Sequence, residues 1–199
     1  ISIEDFIGVA KMPKGVLVGT LGQFIIMPMV GFTLAHVLTF PPEIAAGIIL
    51  IGCSPAGMAS NVMSYLAKAN LALSVTLTTI TTLLAPFVTP FLMSLLAGEF
   101  IEVDVFKMMW DIIKMVIVPI GAGLAFNKIF RGKAKWLHDA MPYLSMGGIA
   151  LIIVVITAAG RNSLLEIGMM LIVSSLIHNV SGYFLGYWSG RLFRMPERD

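Results

Sequence analysis

Charge is what this sequence has least of. Only 12% of its 199 residues are Asp, Glu, Lys or Arg, while 58% are hydrophobic and the mean hydropathy is +0.94. Soluble domains carry about 25% charged residues, so this composition excludes an ordinary water-facing globule. Cysteine is nearly absent too. Cys53 stands alone in an apolar run, which excludes an internal disulfide and a CxxC-type metal spacing and leaves a small packing residue. No apolar stretch alternates with period two, which argues against the strands of a membrane barrel. The net charge of +2 is dispersed over short loops and offers nucleic acid no surface. None of the eleven acidic residues falls in the middle of an apolar run. The opening "ISIEDF" has no basic leader and no initial Met, so the chain is expected to be an excerpt of a longer one.

What the sequence has instead is long apolar runs. A helix crosses about 30 Å of hydrocarbon in about 20 residues, and six runs qualify: about 14–40, 43–68, 70–97, 106–129, 141–160 and 164–193. The expected fold is all-α, a polytopic membrane protein. The first run ends at "FPPE", where two prolines stop one helix and Glu43 favours the start of the next. Orientation follows from Lys and Arg, which are retained on the cytoplasmic side. If the first run starts inside, the inner loops hold Lys11, Lys14, Lys68, Lys128, Arg131, Lys133, Lys135, Arg191, Arg194 and Arg198. The outer ones hold Arg161, Lys107 and Lys114 and collect Glu43, Glu99, Glu102, Asp104 and Glu166. This works only if the second run, although interrupted by "GCSPAG", crosses the whole membrane.

An internal echo adds a topological expectation. "VGFTLAHVLTFPPE" closes the first run and "FLGYWSGRLFRMPERD" the sixth, and the two runs start from opposite sides. That is the relation of inverted repeats in secondary transporters, with a second interrupted helix expected after Asp199.

The interruption carries the chemistry. Gly52, Pro55 and Gly57 together break a helix, since proline removes an amide donor and glycine frees the backbone. Backbone left open at membrane depth is tolerated only where protein or a wet cavity satisfies it. Ser60 and Asn61 then open a half-helix whose amino end, about half a positive charge, lies near mid-membrane and attracts an anionic group. On the next run Ser74, Thr78 and then Thr81 or Thr82 stack oxygens along one face. Ser60, Asn61, Ser74 and Thr78 offer four neutral oxygens, a donor set suited to a hard cation such as Na⁺. The competing reading has these hydroxyls bonding their own backbone or gluing helices together. Gln23, a lone amide inside the first run, serves either as interhelical glue or as an ion ligand. Gly182, Gly186 and Gly190, at spacing four, mark close helix packing. His178 beside Asn179 is either a proton relay or a hydrogen-bonded structural residue. His36 and His138 carry no clear signal, and the methionines read as packing or lipid-facing residues. "GCSPAG" is not the G-x-S-x-G elbow, and paired intramembrane aspartates are missing, which argues against a hydrolase.

With "PAGMASNVMSYLAKANLALSVTLTT" assembled, the sequence resembles the bile acid:sodium symporter family, particularly its bacterial members. "GQFIIMPMVGF", "TPFLMSLLAG" and "HNVSGYFLGYWSGRLF" follow in the family's order, so the resemblance covers essentially the whole chain. It implies ten helices in two inverted five-helix repeats, with a core domain of discontinuous crossing helices and a smaller panel domain. The chain looks like the third through eighth of these, with 14–97 and 164–193 core-type and 106–160 panel-type. The resemblance matches Ser60, Asn61, Ser74 and Thr78 to one sodium site and Gln23 to a second. Both family sites also draw on a glutamate and a glutamine from a second crossing helix, which is not in this sequence. The Gly57–Met58–Ala59 stretch would form the substrate wall, with Met58 standing where the family often has Thr.

The function so implied is sodium-coupled symport of an organic anion, a bile acid or another small carboxylate, by alternating access across the bacterial inner membrane. The alternative is a proton- or potential-driven exporter of the same fold. No enzymatic activity is expected. The expected partners are the organic anion, sodium ions and the lipid bilayer, and the complete protein is expected to be a monomer.

Overall fold

The computed structural model describes residues 12–57, 59–129, 146–148, 150, 151 and 153–196. Met58, Lys11, Arg131, Lys133, Lys135, His138, Arg198 and the start of the fifth run at Met141 lie outside them. Among the described residues all regular structure is helical: α1 Pro13–Val37, α2 Pro42–Cys53, α3 Ala59–Leu66, α4 Leu71–Ala97, α5 Val105–Ile129 and α6 Arg161–Leu192. The described residues between 146 and 159 are helical as well. The segments from Pro13 to Val37, Leu71 to Ala97 and Leu164 to Leu192 are each long and apolar enough to cross a membrane.

Local chemistry sets the helix ends. Pro42 occupies the first turn of α2 with Glu43 beside it, where a missing amide costs nothing and a negative charge meets the positive helix end. Asn70 caps α4, its Oδ1 accepting from Leu73 N at 3.1 Å. Three helices stop on a left-handed residue that is not glycine: Thr39 after α1 (φ 47°), Lys68 after α3 (φ 54°) and Arg194 after α6 (φ 51°). Lys68 N donates to Tyr65 O and Ala69 N to Ser64 O, the paired bonds of a Schellman cap. A side chain there costs about 1 kcal/mol relative to glycine. Lys68→Gly should therefore raise the melting temperature slightly while Lys68→Ala should not, a contrast that thermal denaturation reads directly.

The chain divides into two compact units, 1–116 with 177–199, and 117–176. The second holds the end of α5, the helical residues between 146 and 159 and the first half of α6. The first holds α1 to α4 and contains every described candidate site residue.

Within the first unit α1 and α2 cross closely. A Cβ on Gly31 would lie 2.9 Å from Ile48 O, and one on Gly52 only 2.5 Å from Met27 O. Gly52 therefore lies inside α2 rather than in the break, and its role is close approach rather than backbone freedom. Opposite Gly52, α1 widens into a π-turn over Gly22–Ile26, closed by Met27 N donating to Gly22 O. Pro28 follows and supplies no amide, so the carbonyls before it lose a donor and the wider turn absorbs the mismatch. His178 of α6 reaches the same place, its Nε2 donating to Met27 O at 3.3 Å. That contact favours the structural reading of His178. Gly182 also packs there, 2.9 Å from Met27 Sδ by its would-be Cβ, whereas Gly186 and Gly190 have nothing within 4 Å. The predicted glycine packing stripe is thus a single contact among the described residues.

Helix α4 is inside out relative to a soluble helix. Thr76, Thr79, Thr81 and Thr89 are buried, while Leu84, Phe87, Phe91 and Leu95 are exposed. A helix whose solvent is hydrocarbon keeps its hydroxyls inward. Pro86 and Pro90, both fully buried, lie within it without ending it. Met12 meets Asn70, Gly15 meets Leu73 and Gly19 meets Leu77, so α1 and α4 run parallel. Two parallel neighbours require the chain between them to return across the membrane. At about 1.5 Å per residue, the twelve residues of α2 and the eight of α3 add up to about 30 Å of helix, one bilayer core. The interrupted segment makes that return as a single broken pass.

Candidate functional site

Between α2 and α3 the backbone leaves the helix at Ser54, which is extended (φ −75°, ψ 152°), and runs irregularly through Gly57. Its polar groups are met by side chains from two other helices. Thr89 Oγ1 donates to Cys53 O at 2.7 Å, Gln23 Nε2 donates to Ser54 O at 2.9 Å, and Ala56 N donates to Thr81 Oγ1 at 3.2 Å. Thr81 Oγ1 passes its own proton to Leu77 O at 2.8 Å, so one hydroxyl both accepts and donates. These three residues hold the break open at fixed geometry. Each stands in for a helical partner whose loss would cost about 1–3 kcal/mol. Thr89→Val should accordingly lower stability by that amount, with Thr89→Ser retaining most of it, as measured by thermal denaturation.

On the far side of the break three of the predicted sodium ligands converge. Ser74 Oγ donates to Asn61 Oδ1 at 2.7 Å, and Thr78 Oγ1 lies 3.2 Å from the same oxygen and 3.0 Å from Ser74 O. Spacing four on α4 places Ser74 above Thr78 on one face, and α3 brings Asn61 against it. The donor set is neutral oxygen throughout, which suits a hard monovalent ion, and both hydroxyl protons can rotate away to turn lone pairs inward. Ser60, the fourth residue of the predicted donor set, precedes Asn61 in the first turn of α3. Its Oγ donates to Gly57 O at 2.7 Å, closing the first turn of α3. Gln23 lies in the π-turn on the other side of the break, with its Nε2 committed to Ser54 O. Interhelical glue is the role its geometry displays.

The competing reading of the threonines holds in part. Thr76, Thr78 and Thr81 each donate to the carbonyl four residues earlier. Thr78 does so while also contacting Asn61. The residue that sequence reasoning missed is Thr89, two turns beyond Thr81. Its signal was the eight-residue spacing that puts both on the face toward the break.

The expected substrate wall is described at Gly57 and Ala59, both exposed, while Met58 lies outside the described residues. The described cavity lies elsewhere. It is an apolar groove of about 460 Å³ between residues 25–34 of α1 and 177–185 of α6, lined by Ile25, Met29, Thr33, Ile177, Ser181 and Leu185 among others. It touches none of the predicted ligands.

Fold and site together define an all-α membrane protein with an oxygen-lined break in one of its passes. The model of the sodium bile acid symporter family matches residues 1–177. The chain belongs to that family. It is 43% identical over 192 residues to an uncharacterized sodium-dependent transporter of Bacillus subtilis, YocS, covering 96% of this chain and 60% of YocS. It is 33% identical over 192 residues to a probable chloroplastic sodium/metabolite cotransporter of Arabidopsis thaliana, BASS1, covering 96% of this chain and 48% of that protein. A second Arabidopsis relative described in the same terms, BASS6, is 35% identical over 198 residues, 96% of this chain and 48% of its own length. The chain thus spans about half the length of the curated relatives it matches.

Proposed function

We propose that the chain belongs to a sodium-coupled symporter of an organic anion that works by alternating access in the bacterial inner membrane. The observation that carries this reading is the convergence of Ser74 and Thr78 on Asn61 beside a break held open by Gln23, Thr81 and Thr89. Support comes from the names of the relatives, which describe sodium-dependent or sodium/metabolite transport.

The geometry supports a route to coupling. Asn61 belongs to α3 and Ser74 and Thr78 to α4, so a cation bound among them ties the second half of the broken pass to its neighbour. The amino end of α3, carrying about half a positive charge, is then fixed where a carboxylate can meet it, with Gly57, Met58 and Ala59 as the wall. An ion that binds only the tied geometry raises affinity for the anion by the same factor that the anion raises affinity for the ion. Movement of the core-type segments 14–97 and 164–193 against the panel-type segment 106–160 would carry both across. The shared cap of the two echoing segments, Thr39–Phe40–Pro41 and Arg194–Met195–Pro196, each beginning on a left-handed residue, supports an inverted repeat.

The test is uptake by the full-length protein in proteoliposomes, with a panel of organic acids including bile acids, under an imposed sodium gradient or a proton gradient. Sodium-dependent uptake of one class of acid is expected. Uptake that follows the proton gradient and ignores sodium would replace this reading with the proton-driven alternative.

A further inference from the structure

At the outer ends of the parallel helices α1 and α4 a histidine meets a carboxylate, and the sodium reading uses neither. His36, in the last turn of α1, sets its Nε2 2.8 Å from Oε1 of Glu99, which follows the end of α4. Its Nδ1 lies 3.0 Å from Phe32 O. Phe32 and Phe100 flank the ring, their centroids 4.2 and 5.2 Å from its own. The other charged groups at this end are Glu43 on α2, Glu102 and Asp104 in the connection after α4, and Lys107 on α5. Among the described residues none of these pairs with His36, and Asp104 Oδ1 accepts from Lys107 N at 3.0 Å.

The two ring contacts together require a proton. A carbonyl oxygen only accepts, so Nδ1 must donate to Phe32 O. A neutral imidazole then has only a bare nitrogen left for Glu99, and a bare nitrogen facing a carboxylate is two acceptors without a hydrogen. The contact with Glu99 therefore holds one more proton, on Nε2 as imidazolium or on the carboxyl. Imidazole changes its charge between about pH 5 and pH 8. Below that range both bonds form, and as the pH rises through it one of them is lost. What the pair holds is a connection. Phe100 N and Ile101 N donate to Ala97 O at 2.9 and 3.1 Å, and from this turn the chain passes to α5.

We propose that His36 and Glu99 form a proton-binding latch that ties the α4–α5 connection to the outer end of α1, closed at acid pH on that side and released as the pH rises. The latch itself does not depend on sodium. Its bearing on transport rests on the reading above, in which this connection joins the core-type segment 14–97 to the panel-type segment 106–160 and must flex when the two move.

The experiment is amide hydrogen exchange of the purified full-length protein at about pH 5 and about pH 8, the two ends of the imidazole range, without sodium or organic anion. Each rate is divided by the intrinsic rate at its pH, so that only protection is compared. The reporters are the amides of Phe100 and Ile101. In the parent their protection should fall about two- to fivefold from the lower pH to the higher, the weight of an exposed ion pair. His36→Gln should remove this change. Glu99→Gln should remove it too, because an amide offers both a donor and an acceptor and meets the imidazole in either charge state. Both positions are exposed, and if one variant fails to assemble the other decides. Equal protection at the two pH values in the parent overturns the inference. So does an undiminished fall in either variant, which would assign the pH response to other groups such as Glu102 or Asp104. With sodium left out of the experiment, a failed latch leaves the sodium reading standing, and a protein that ignores sodium can still show the latch.

Discussion

Asn61→Ala should abolish the stabilisation of the full-length protein by sodium and reduce sodium-driven uptake to background. Asn61 Oδ1 is the single acceptor on which the hydroxyls of Ser74 and Thr78 converge, at 2.7 and 3.2 Å. Alanine removes the one carbonyl-type oxygen of the cluster and leaves two hydroxyls that can return to backbone carbonyls, as Thr78 already does with Ser74 O. A contact to a charged group is worth about 1.5–3 kcal/mol, or roughly 10- to 100-fold in ion affinity. Losing the residue that organises the other two belongs at the upper end. The three act as a unit, so Ser74→Ala added to Asn61→Ala should cost little more, a non-additivity that a double-mutant cycle measures. Additive losses would mean that the two side chains serve separate purposes.

The second large effect belongs to Gly52. Its would-be Cβ lies 2.5 Å from Met27 O and 3.0 Å from Met27 C and Pro28 Cα, all main-chain atoms. A flexible side chain could swing aside, but backbone cannot, so Gly52→Ala must push α2 off α1 at the π-turn that holds Gln23. Overpacking of this kind costs about 1–3 kcal/mol and more when no relaxation is possible. We expect a protein that fails to assemble or melts far below the parent. Gly57→Ala is the control: nothing lies within 4 Å of its would-be Cβ, and its stability should stay within about 0.5 kcal/mol of the parent.

That contrast shows what the sequence can and cannot disclose. Helix boundaries were legible within a few residues, because hydrocarbon imposes long apolar runs and Pro41, Pro42 and Asn70 punctuate them. The break was legible because Pro55 and Gly57 stand where an uninterrupted pass should run. Ser74 and Thr78 were legible as a pair by their spacing. The role of Gly52 was not legible, since a glycine needed for backbone freedom and one needed for close approach look identical until the neighbouring helix is placed. The partner of the Ser60 hydroxyl was not legible: it donates to Gly57 O, closing the first turn of α3. Thr81 and Thr89 escaped notice as supports of the break, because a threonine that spends its proton on its own helix and one that spends it on a neighbour share one letter. The π-turn at Gly22–Ile26 left no periodic signal, being a local answer to Pro28.

The central claim is that the oxygens gathered on α3 and α4 bind sodium. Equilibrium binding of radioactive sodium to the purified full-length protein, in the absence of any organic anion, tests it most directly. We expect saturable binding that potassium does not displace and that Asn61→Ala eliminates at the same sodium concentrations. Saturable binding unchanged in Asn61→Ala, or none in the parent protein, would contradict it.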